Sequence, residues 1–452
     1  MKINKKSIQV YMISLGCSKN LVDAECMTRI LLDDKMAMVN EPSTADVIIV
    51  NTCGFIESAK KEAIDTIFEM ADYKSPKGKC DYLVVTGCLA QRYAEDIRHD
   101  IPEVDEVLGT SHYHDIAKSI RMLYGEFAGP VENFVSEPGS LAHMKTNRVV
   151  STNSYAWLKI AEGCSNRCAY CAIPLIRGPY ISRLLEDILS EAAFLSESGS
   201  SEIILTAQDT TRYGMDIYGK RMLPELLREL SKLPDIRLIR IMYSYSDGIT
   251  EELIKEMAGN PKIAHYLDMP VQHGDNTVLQ SMKRHDTAEM ITDSLERLRK
   301  EIPDIVLRTT VLVGFPGETA ESFENLMKQI ALWRFDRLGC FVFSPEEGTE
   351  AFSMKGRVRK DVAEKRYSKV MALQQGISES KNQARMQTIT DVTIETISDD
   401  GIFYVGRSYG EAPEVDPSIY VAAASEPLVI GKSYPIRIVD CSAYDLTGVT
   451  EI

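Results

Sequence analysis

The 452-residue sequence lacks any apolar run that approaches the length of a membrane span. A transmembrane helix needs roughly 18 or more consecutive apolar residues, so this absence argues against a membrane protein and predicts a cytoplasmic one. Repeats of solenoid length and low-complexity tracts are also missing. What remains is an ordinary globular chain, long enough for about three domains.

Positive charge is in short supply. Lys and Arg number 51 against 66 Asp and Glu, which gives a formal net charge of −15. A protein that coats nucleic acid needs a positive field to bind phosphate. The charge balance therefore argues against that class and favours a basic protein as partner.

A complete local set of four metal ligands is missing as well. Cys164, Cys168 and Cys171 form a C-x3-C-x2-C run, one cysteine short of a closed 4Fe-4S cluster. Structural zinc would need a fourth Cys or His nearby, and the nearest histidines in sequence are His143 and His265. Because buried core thiols have no need of a shared loop, the spacing favours an iron–sulfur cluster with one open iron.

The first 145 residues alternate apolar strands with amphipathic helices, which predicts a doubly wound α/β domain with a parallel sheet. The predicted strands are Ile8–Leu15, Asp46–Val50, Tyr82–Thr86 and, more weakly, Val104–Leu108, with helices at Leu21–Asp33 and Ile56–Asp72. A polar stretch with Pro and Gly, residues 137–153, is expected to be the linker to the next domain.

Residues 150–380 are predicted to form a partial (β/α)6 barrel with a helical connector at its end. Six β/α units fall short of the eight of a closed barrel and would leave one side open to a bulky substrate. The predicted strands are Tyr155–Ile160, Glu202–Thr206, Ile236–Met242, His265–Asp268, Val306–Val313 and Arg337–Phe343. The connector, residues 355–386, carries a net charge of +6, typical either of a solvated helix face or of a contact with ribosomal RNA or an acidic domain.

Residues 383–452 are rich in strands and poor in helices, which predicts a small OB-like β-barrel. The five predicted strands are Thr388–Ile397, Ile402–Gly406, Ile419–Ala423, Tyr434–Asp440 and Asp445–Val449. The predicted domains are therefore 1–145, 150–380 and 383–452.

Three further cysteines share a position in the predicted N-terminal sheet. Cys17, Cys53 and Cys88 each follow the carboxyl end of a predicted parallel strand, where ligands of open α/β sheets gather. They are either a second three-cysteine 4Fe-4S site or three unrelated buried thiols, and their repeated placement favours the site. The other four cysteines are expected to be packing residues: Cys26, Cys80, Cys340 and Cys441.

Two clusters with open irons suggest a reaction. An open iron can bind the amino and carboxyl groups of S-adenosylmethionine (SAM), and electron transfer into the sulfonium then gives an adenosyl radical, a chemistry that belongs to the cofactor. Such a radical can remove hydrogen from an unactivated carbon, and a second cluster with an open iron can deliver sulfur. Together they point to insertion of sulfur into a C–H bond.

The cysteine run within Ile160–Ala172 resembles the signature of the radical-SAM superfamily, and the whole chain resembles its methylthiotransferase family. The resemblance implies an auxiliary-cluster domain, a radical-SAM partial barrel and a terminal TRAM domain. It also implies that Cys164, Cys168 and Cys171 bind the SAM-cleaving 4Fe-4S cluster. Cys17, Cys53 and Cys88 would bind the auxiliary one.

Four segments resemble the branch of this family that modifies an aspartate of ribosomal protein S-twelve: Gly16–Glu25, Leu205–Thr211, Phe343–Thr349 and Gly406–Asp416. Ser18 stands where the family has Pro, and Pro417 where it has Gly; both lie beside the motifs. The resemblance implies methylthiolation of the aspartate β-carbon with two SAM, one for the methyl group and one for the radical, and an electron donor such as flavodoxin or ferredoxin.

The charge of residues 383–452 bears on the substrate independently. Four Lys or Arg against eleven Asp or Glu give this segment a net charge of −7. A barrel that grips RNA should be basic, whereas an acidic one attracts a Lys/Arg-rich protein or is merely solvated. A tRNA adenosine is therefore the less favoured substrate, and contact with RNA is not expected to be the primary one. A separate, remote alternative is that the protein is a non-catalytic Fe–S electron carrier or sensor.

Two residues are candidates for contacts with SAM. Gln208 follows the second barrel strand at the carboxyl face, where barrel active sites form; its alternative is a turn residue. Arg308, on the fifth strand, can pair with the SAM carboxylate or form a buried salt bridge.

Overall fold

The computed structural model describes residues 7–127, 133–145, 147–152, 154–422 and 426–451. Within these ranges every helix is too short or too polar to span a bilayer. The described residues form three main sheets in sequence and one two-stranded ribbon, and the predicted fold class is confirmed for each main sheet.

The N-terminal sheet has five parallel strands in the order β2-β1-β3-β4-β5. Separate apolar cores cover its two faces, with α1 and α5 on one side and α2 and α4 on the other, so it is doubly wound. The strands are β1 Gln9–Ser14, β2 Ala37–Met38, β3 Val47–Thr52, β4 Tyr82–Gly87 and β5 Glu106–Leu108; the helices are α1 Ser18–Asp33, α2 Glu57–Ala71, α3 Cys88–Arg92, α4 Ala94–Asp100 and α5 Ile116–Leu123. The sequence missed β2, because two residues are too few to show a period.

The stretch after this sheet was expected to be a linker, but parts of it are buried. His143 lies against Asp23 of α1, and Arg148 pairs with Glu25 and Glu191. These polar residues of the stretch therefore form buried ion pairs rather than a solvated linker. Residues 146 and 153 lie outside the described ranges.

The central sheet has six parallel strands in sequence order, and its first and last strands do not pair, so the barrel is open as predicted. The strands are β6 Tyr155–Lys159, β9 Glu202–Thr206, β10 Leu238–Ile241, β11 Ile263–Asp268, β12 Val306–Val313 and β13 Arg337–Val342, with a short antiparallel ribbon of β7 Ala161–Glu162 and β8 Ile181–Ser182. The helices are α6 Ile173–Arg177, α7 Leu185–Glu197, α8 Leu223–Leu230, α9 Glu251–Gly259, α10 Asn276–Ser281, α11 Ala288–Glu301, α12 Ala320–Trp333, α13 Glu350–Ser353 and the connector α14 Lys360–Gln383.

The C-terminal strands close into a five-stranded barrel in the order β14-β15-β16-β18-β17. Alternate side chains of these strands fill its interior, among them Val392, Ile394, Val421 and Ile436. The strands are β14 Ile389–Ile397, β15 Tyr404–Arg407, β16 Ile419–Ala422, β17 Ser433–Cys441 and β18 Leu446–Thr450. Ala423, the predicted end of β16, lies outside the described residues.

Candidate active site

The three strand-end cysteines of the N-terminal sheet come together. Cys17 follows β1, Cys53 follows β3, and Cys88 begins α3 directly after β4. Gly16 has a φ of +91°, and a Cβ on it would stand 2.7 Å from the Cβ of Cys53. This close approach requires glycine, because any side chain would push the two cysteine turns apart.

The side chain of Asn20 ties these turns to one another. Its Nδ2 donates to the carbonyls of Leu15 and Thr52, at 2.9 and 3.0 Å. Its Oδ1 lies 3.5 Å from the Cys88 sulfur. One buried amide thus contacts the ends of β1 and β3 and a thiol at the end of β4.

The radical-SAM cysteines lie on the loop between β7 and α6. Gly163 just before Cys164 has a φ of +70°, and a Cβ there would collide with the carbonyl of Pro179. The Cys164 sulfur accepts from the backbone N–H of Asn166 at 3.5 Å, and the Cys168 sulfur lies 3.8 Å from the Tyr245 hydroxyl. The loop is therefore held by a contact within itself and by contacts with the segments before β8 and after β10.

Both cysteine trios border one cavity of about 460 Å³. Its wall includes Cys17, Cys53, Cys88, Cys164 and Cys171, while Cys168 touches Tyr245, another wall residue. The carboxyl ends of the strands of both sheets face this space, where parallel sheets bind ligands. Sequence could place each trio at a strand end but could not show that the two trios share one cavity.

The spacing of the sulfurs distinguishes a cluster from a single ion. In neither trio, all six cysteines being described, do the three sulfurs lie within 4.8 Å of one another. A mononuclear site needs its ligands that close, whereas a 4Fe-4S cluster binds each thiolate at a different iron. Neither trio therefore forms a compact site for one ion, and three thiolates of each trio remain available to different irons of a cluster.

The charged side chains on the described cavity wall are all cations. The described wall includes the cations Lys19, Arg177 and Arg284 and no carboxylate. Burial raises the pKa of Cys88 to about 12 and that of Cys164 to about 11, so these thiols bind as thiolates only when a metal replaces the proton. Cys17 is exposed, but the protein packed around its sulfur opposes its ionisation; Lys19 and the backbone N–H of Asn20 outweigh this and lower the pKa.

Arg177 connects the two cysteine regions, and the sequence analysis missed it. It ends α6, the helix that follows the radical-SAM loop, and only 2% of it is exposed. Its guanidinium lies 3.4 Å from the Cys88 sulfur and also donates to Asn20. The feature of the sequence that could have pointed to Arg177 as a site residue is its position, six residues after Cys171.

A buried carboxylate cluster holds Arg177 in place. Asp23 lies 2.6 Å and Glu162 3.3 Å from the guanidinium, and Lys159 pairs with both acids. Burial opposes the charge of each acid, but Lys159 and Arg177 outweigh it and lower both pKa values. Asp23, Glu162 and His143 are spaced closely enough for one metal ion, but the two cations already neutralise the acids.

The two residues predicted to contact SAM lie in different places in the structure. Gln208 lies on the cavity wall. Arg308 is not among the described wall residues; it pairs with Asp268 at 2.9 Å and with Asp416 of the terminal barrel at 3.5 Å. Of the two roles expected for Arg308, the structure therefore favours the buried salt bridge.

Comparison with known families and structures agrees with this architecture. Residues 9–109 match the uncharacterized protein family UPF0004, residues 158–330 the radical SAM superfamily and residues 388–450 the TRAM domain. The fold resembles the radical SAM methyltransferase TsrM from Kitasatospora setae, with a TM-score of 0.55 at 13% identity over 74% of this chain and 73% of that one. It also resembles the cobalamin-dependent radical enzyme OxsB, with a TM-score of 0.52 at 12% identity over 88% and 63%.

Curated relatives match the chain from end to end. The ribosomal protein uS12 methylthiotransferase RimO of Acetivibrio thermocellus is 48% identical over 97% of this chain and 98% of its own length. The protein of the same name from Lachnoclostridium phytofermentans is 46% identical over 98% and 100%. The chain is therefore an enzyme of the radical-SAM class and belongs to the RimO family of ribosomal protein uS12 methylthiotransferases.

Proposed function

We propose that this protein replaces a hydrogen on the β-carbon of an aspartate in ribosomal protein S-twelve by a methylthio group. It would use two SAM molecules and a sulfur delivered at an auxiliary cluster, in the cytoplasm, with flavodoxin or ferredoxin as electron donor. One observation carries the proposal: both cysteine trios border the same cavity. Sulfur and radical chemistry can act on one carbon only if they meet in one space.

The residues of this chain have defined tasks in the proposal. Cys164, Cys168 and Cys171 hold the SAM-binding 4Fe-4S cluster, and the strand-end trio holds the auxiliary one. When bound, the first supplies an adenosyl radical with SAM and the second supplies sulfur. Gln208 contacts SAM from the cavity wall. Lys19, whose ammonium lies 3.3 Å from the centre of the Tyr243 ring, helps to close the wall between the two sheets.

The surface of the terminal barrel supports a basic protein substrate, with one revision. Glu411 and Asp416 contribute to the net charge of −7, but both side chains are buried at the central barrel and paired with arginines. Seven carboxylates remain exposed: Asp391, Asp399, Asp400, Glu414, Glu426, Asp440 and Glu451. The outer face is therefore still acidic, which favours a Lys/Arg-rich partner over RNA.

The first test is the iron content of anaerobically prepared protein. We expect about eight irons per chain for two 4Fe-4S clusters, falling to about four in the Cys53→Ala variant. Cys26→Ala, a buried thiol away from the cavity, is the matched control and should keep all of the iron. An unchanged content in Cys53→Ala would remove the auxiliary cluster from the proposal.

The second test is the product. Reconstituted enzyme with SAM, sulfide, a reductant and purified S-twelve should add one SCH3 in place of one hydrogen, detected by mass spectrometry at an aspartate. Transfer of the group to tRNA instead would establish the alternative substrate. Intact SAM with no 5′-deoxyadenosine formed would indicate an electron carrier or sensor.

A further inference from the structure

A second concave surface lies beside the reaction cavity. It is a groove of about 890 Å³ between the N-terminal domain and the 345–352 segment of the central domain. Ile64 and Phe68, one helical turn apart on α2, form part of one wall, and Phe352 of α13 belongs to the wall contributed by the central domain. These three side chains are 38%, 49% and 40% exposed, a grouping of large apolar residues that soluble surfaces usually cover.

The groove adjoins the cavity that the two cysteine trios border, with one further concave surface between them. A vestibule of about 460 Å³ shares Phe55, Ile56 and Phe341 with the cavity and shares Glu57 and Ser58 with the groove. Glu346 stands at the boundary, bound to Arg92 at 2.8 Å and to Lys60 at 3.2 Å. Groove, vestibule and cavity thus lie in a row along the junction of the two domains.

The rim of the groove is acidic. It carries Glu57, Asp96, Asp100 and Glu347. Its two lysines, Lys60 and Lys61, balance only part of this charge, and Lys60 is already paired with Glu57 and Glu346. Asp96 and Glu347 form no salt bridge within the described part of the chain. An apolar floor with an acidic rim selects a segment that carries apolar anchors flanked by Lys or Arg.

We propose that this groove is the docking site for a segment of the protein substrate, next to the residue that is modified. The inference rests on the proposed function and adds the surface that binds the partner. Chemistry at one side-chain carbon offers few contacts of its own, so binding energy from a remote segment is needed to hold that carbon in the cavity. A groove that adjoins the cavity is placed to provide it.

The experiment compares binding of fluorescently labelled S-twelve to reconstituted wild type and to the double variant Phe68→Ala, Phe352→Ala. Both side chains are exposed, so folding should not change. We expect at least tenfold weaker binding, because buried aromatic anchors dominate interface energies. The control is Leu332→Ala, an exposed apolar residue on α12 outside these cavities, which should bind as the wild type does.

A charge variant tests the rim. Asp96→Lys with Glu347→Lys should weaken binding most at low ionic strength, since salt screens such contacts. Iron content and formation of 5′-deoxyadenosine without substrate should stay at wild-type levels in every variant. That pair of readouts separates the docking proposal from the proposed chemistry, which would fail independently if wild type bound S-twelve but did not modify it.

Two results would overturn the docking site. Unchanged affinity of the double variant would show that S-twelve binds elsewhere. Loss of a dimer on sedimentation, with affinity for S-twelve unchanged, would show that the groove joins two copies of this chain.

Discussion

At the scale of single residues, Arg177 contacts several of the groups around the two cysteine trios. It is buried, bound to two carboxylates, and in contact with a cysteine expected to ligate the auxiliary cluster. A donor and a positive charge beside a cluster sulfur stabilise the reduced state, because that state carries more negative charge. Arg177 is therefore a positioning residue that links the loop of Cys164, Cys168 and Cys171 to Cys88 of the other trio.

Replacing Arg177 by Gln should lower the reduction potential of the auxiliary cluster, measured by potentiometric titration with electron paramagnetic resonance. It should also cost about 3 kcal/mol of stability, because Asp23 and Glu162 lose a buried partner. Arg177→Lys keeps the charge and should recover part of both effects. A purely structural residue would change the melting temperature and leave the potential where it was.

Gln208 and Arg308 provide a paired prediction for SAM binding. Gln208→Ala should weaken SAM affinity by roughly tenfold, the effect of losing one good polar contact to a charged group. Arg308→Gln should leave that affinity unchanged and instead lower the melting temperature, because it leaves Asp268 and Asp416 without their partner. Equilibrium dialysis with SAM and thermal unfolding of the same preparations separate the two, and weaker SAM binding in Arg308→Gln would reverse our assignment.

At the scale of elements, parallel strands and tight turns set the position of the cysteines. The carboxyl ends of parallel strands meet at one edge of a sheet, so thiols distant in sequence converge there without a local motif. A glycine is also needed at position 16. Because Gly16 has no Cβ, the turns that carry Cys17 and Cys53 can come into contact.

Gly16→Ala should therefore reduce the iron content to about four per chain while SAM cleavage persists. The added methyl would collide with Cys53, and a positive φ costs an alanine about 1 kcal/mol or more. Gly199→Ala is the matched control, because Gly199 also has a positive φ, +104°, with no atom close enough to meet a Cβ. Equal iron loss in both variants would assign the effect to backbone strain.

At the scale of the whole molecule, buried ion pairs join the terminal barrel to the central one. Arg407 of β15 binds Glu202 of β9 at 2.9 Å. Arg240 of β10, which pairs with the same Glu202, donates to the carbonyl of Tyr409 in the terminal segment. Glu411 pairs across the junction with Arg337 of β13 at 3.6 Å. The segment 406–416 therefore acts first as a docking element between domains.

This interface makes stability depend on pH. Burial alone would raise the pKa of Glu411, but Arg385 and Arg337 outweigh it and hold the pKa near 2, against an ordinary value of 4.5. A depressed pKa stabilises the fold fully above about pH 4.5, by about 3 kcal/mol, and this contribution is lost as the pH falls towards 2.

Unfolding of wild type and Glu411→Gln should therefore differ most at neutral pH. The gap in unfolding free energy should narrow steadily between pH 4.5 and 3, measured by chemical denaturation at each pH. Glu426→Gln, an exposed residue of the same barrel, should track the wild type throughout. A gap that stays constant with pH would show that Glu411 is not the titrating group.

The sequence by itself determined the order of the three main sheets, the open six-stranded barrel and the position of Cys17, Cys53 and Cys88 at strand ends. These features follow from local periodicity and from residue spacing, both of which can be read directly from the sequence. Only the tertiary structure decided what lies next to what: that both trios border one cavity, that Arg177 reaches Cys88, and that Arg308 and Asp416 face each other. These are contacts between residues far apart in sequence, and no local pattern records them, because they depend on how the three sheets pack together.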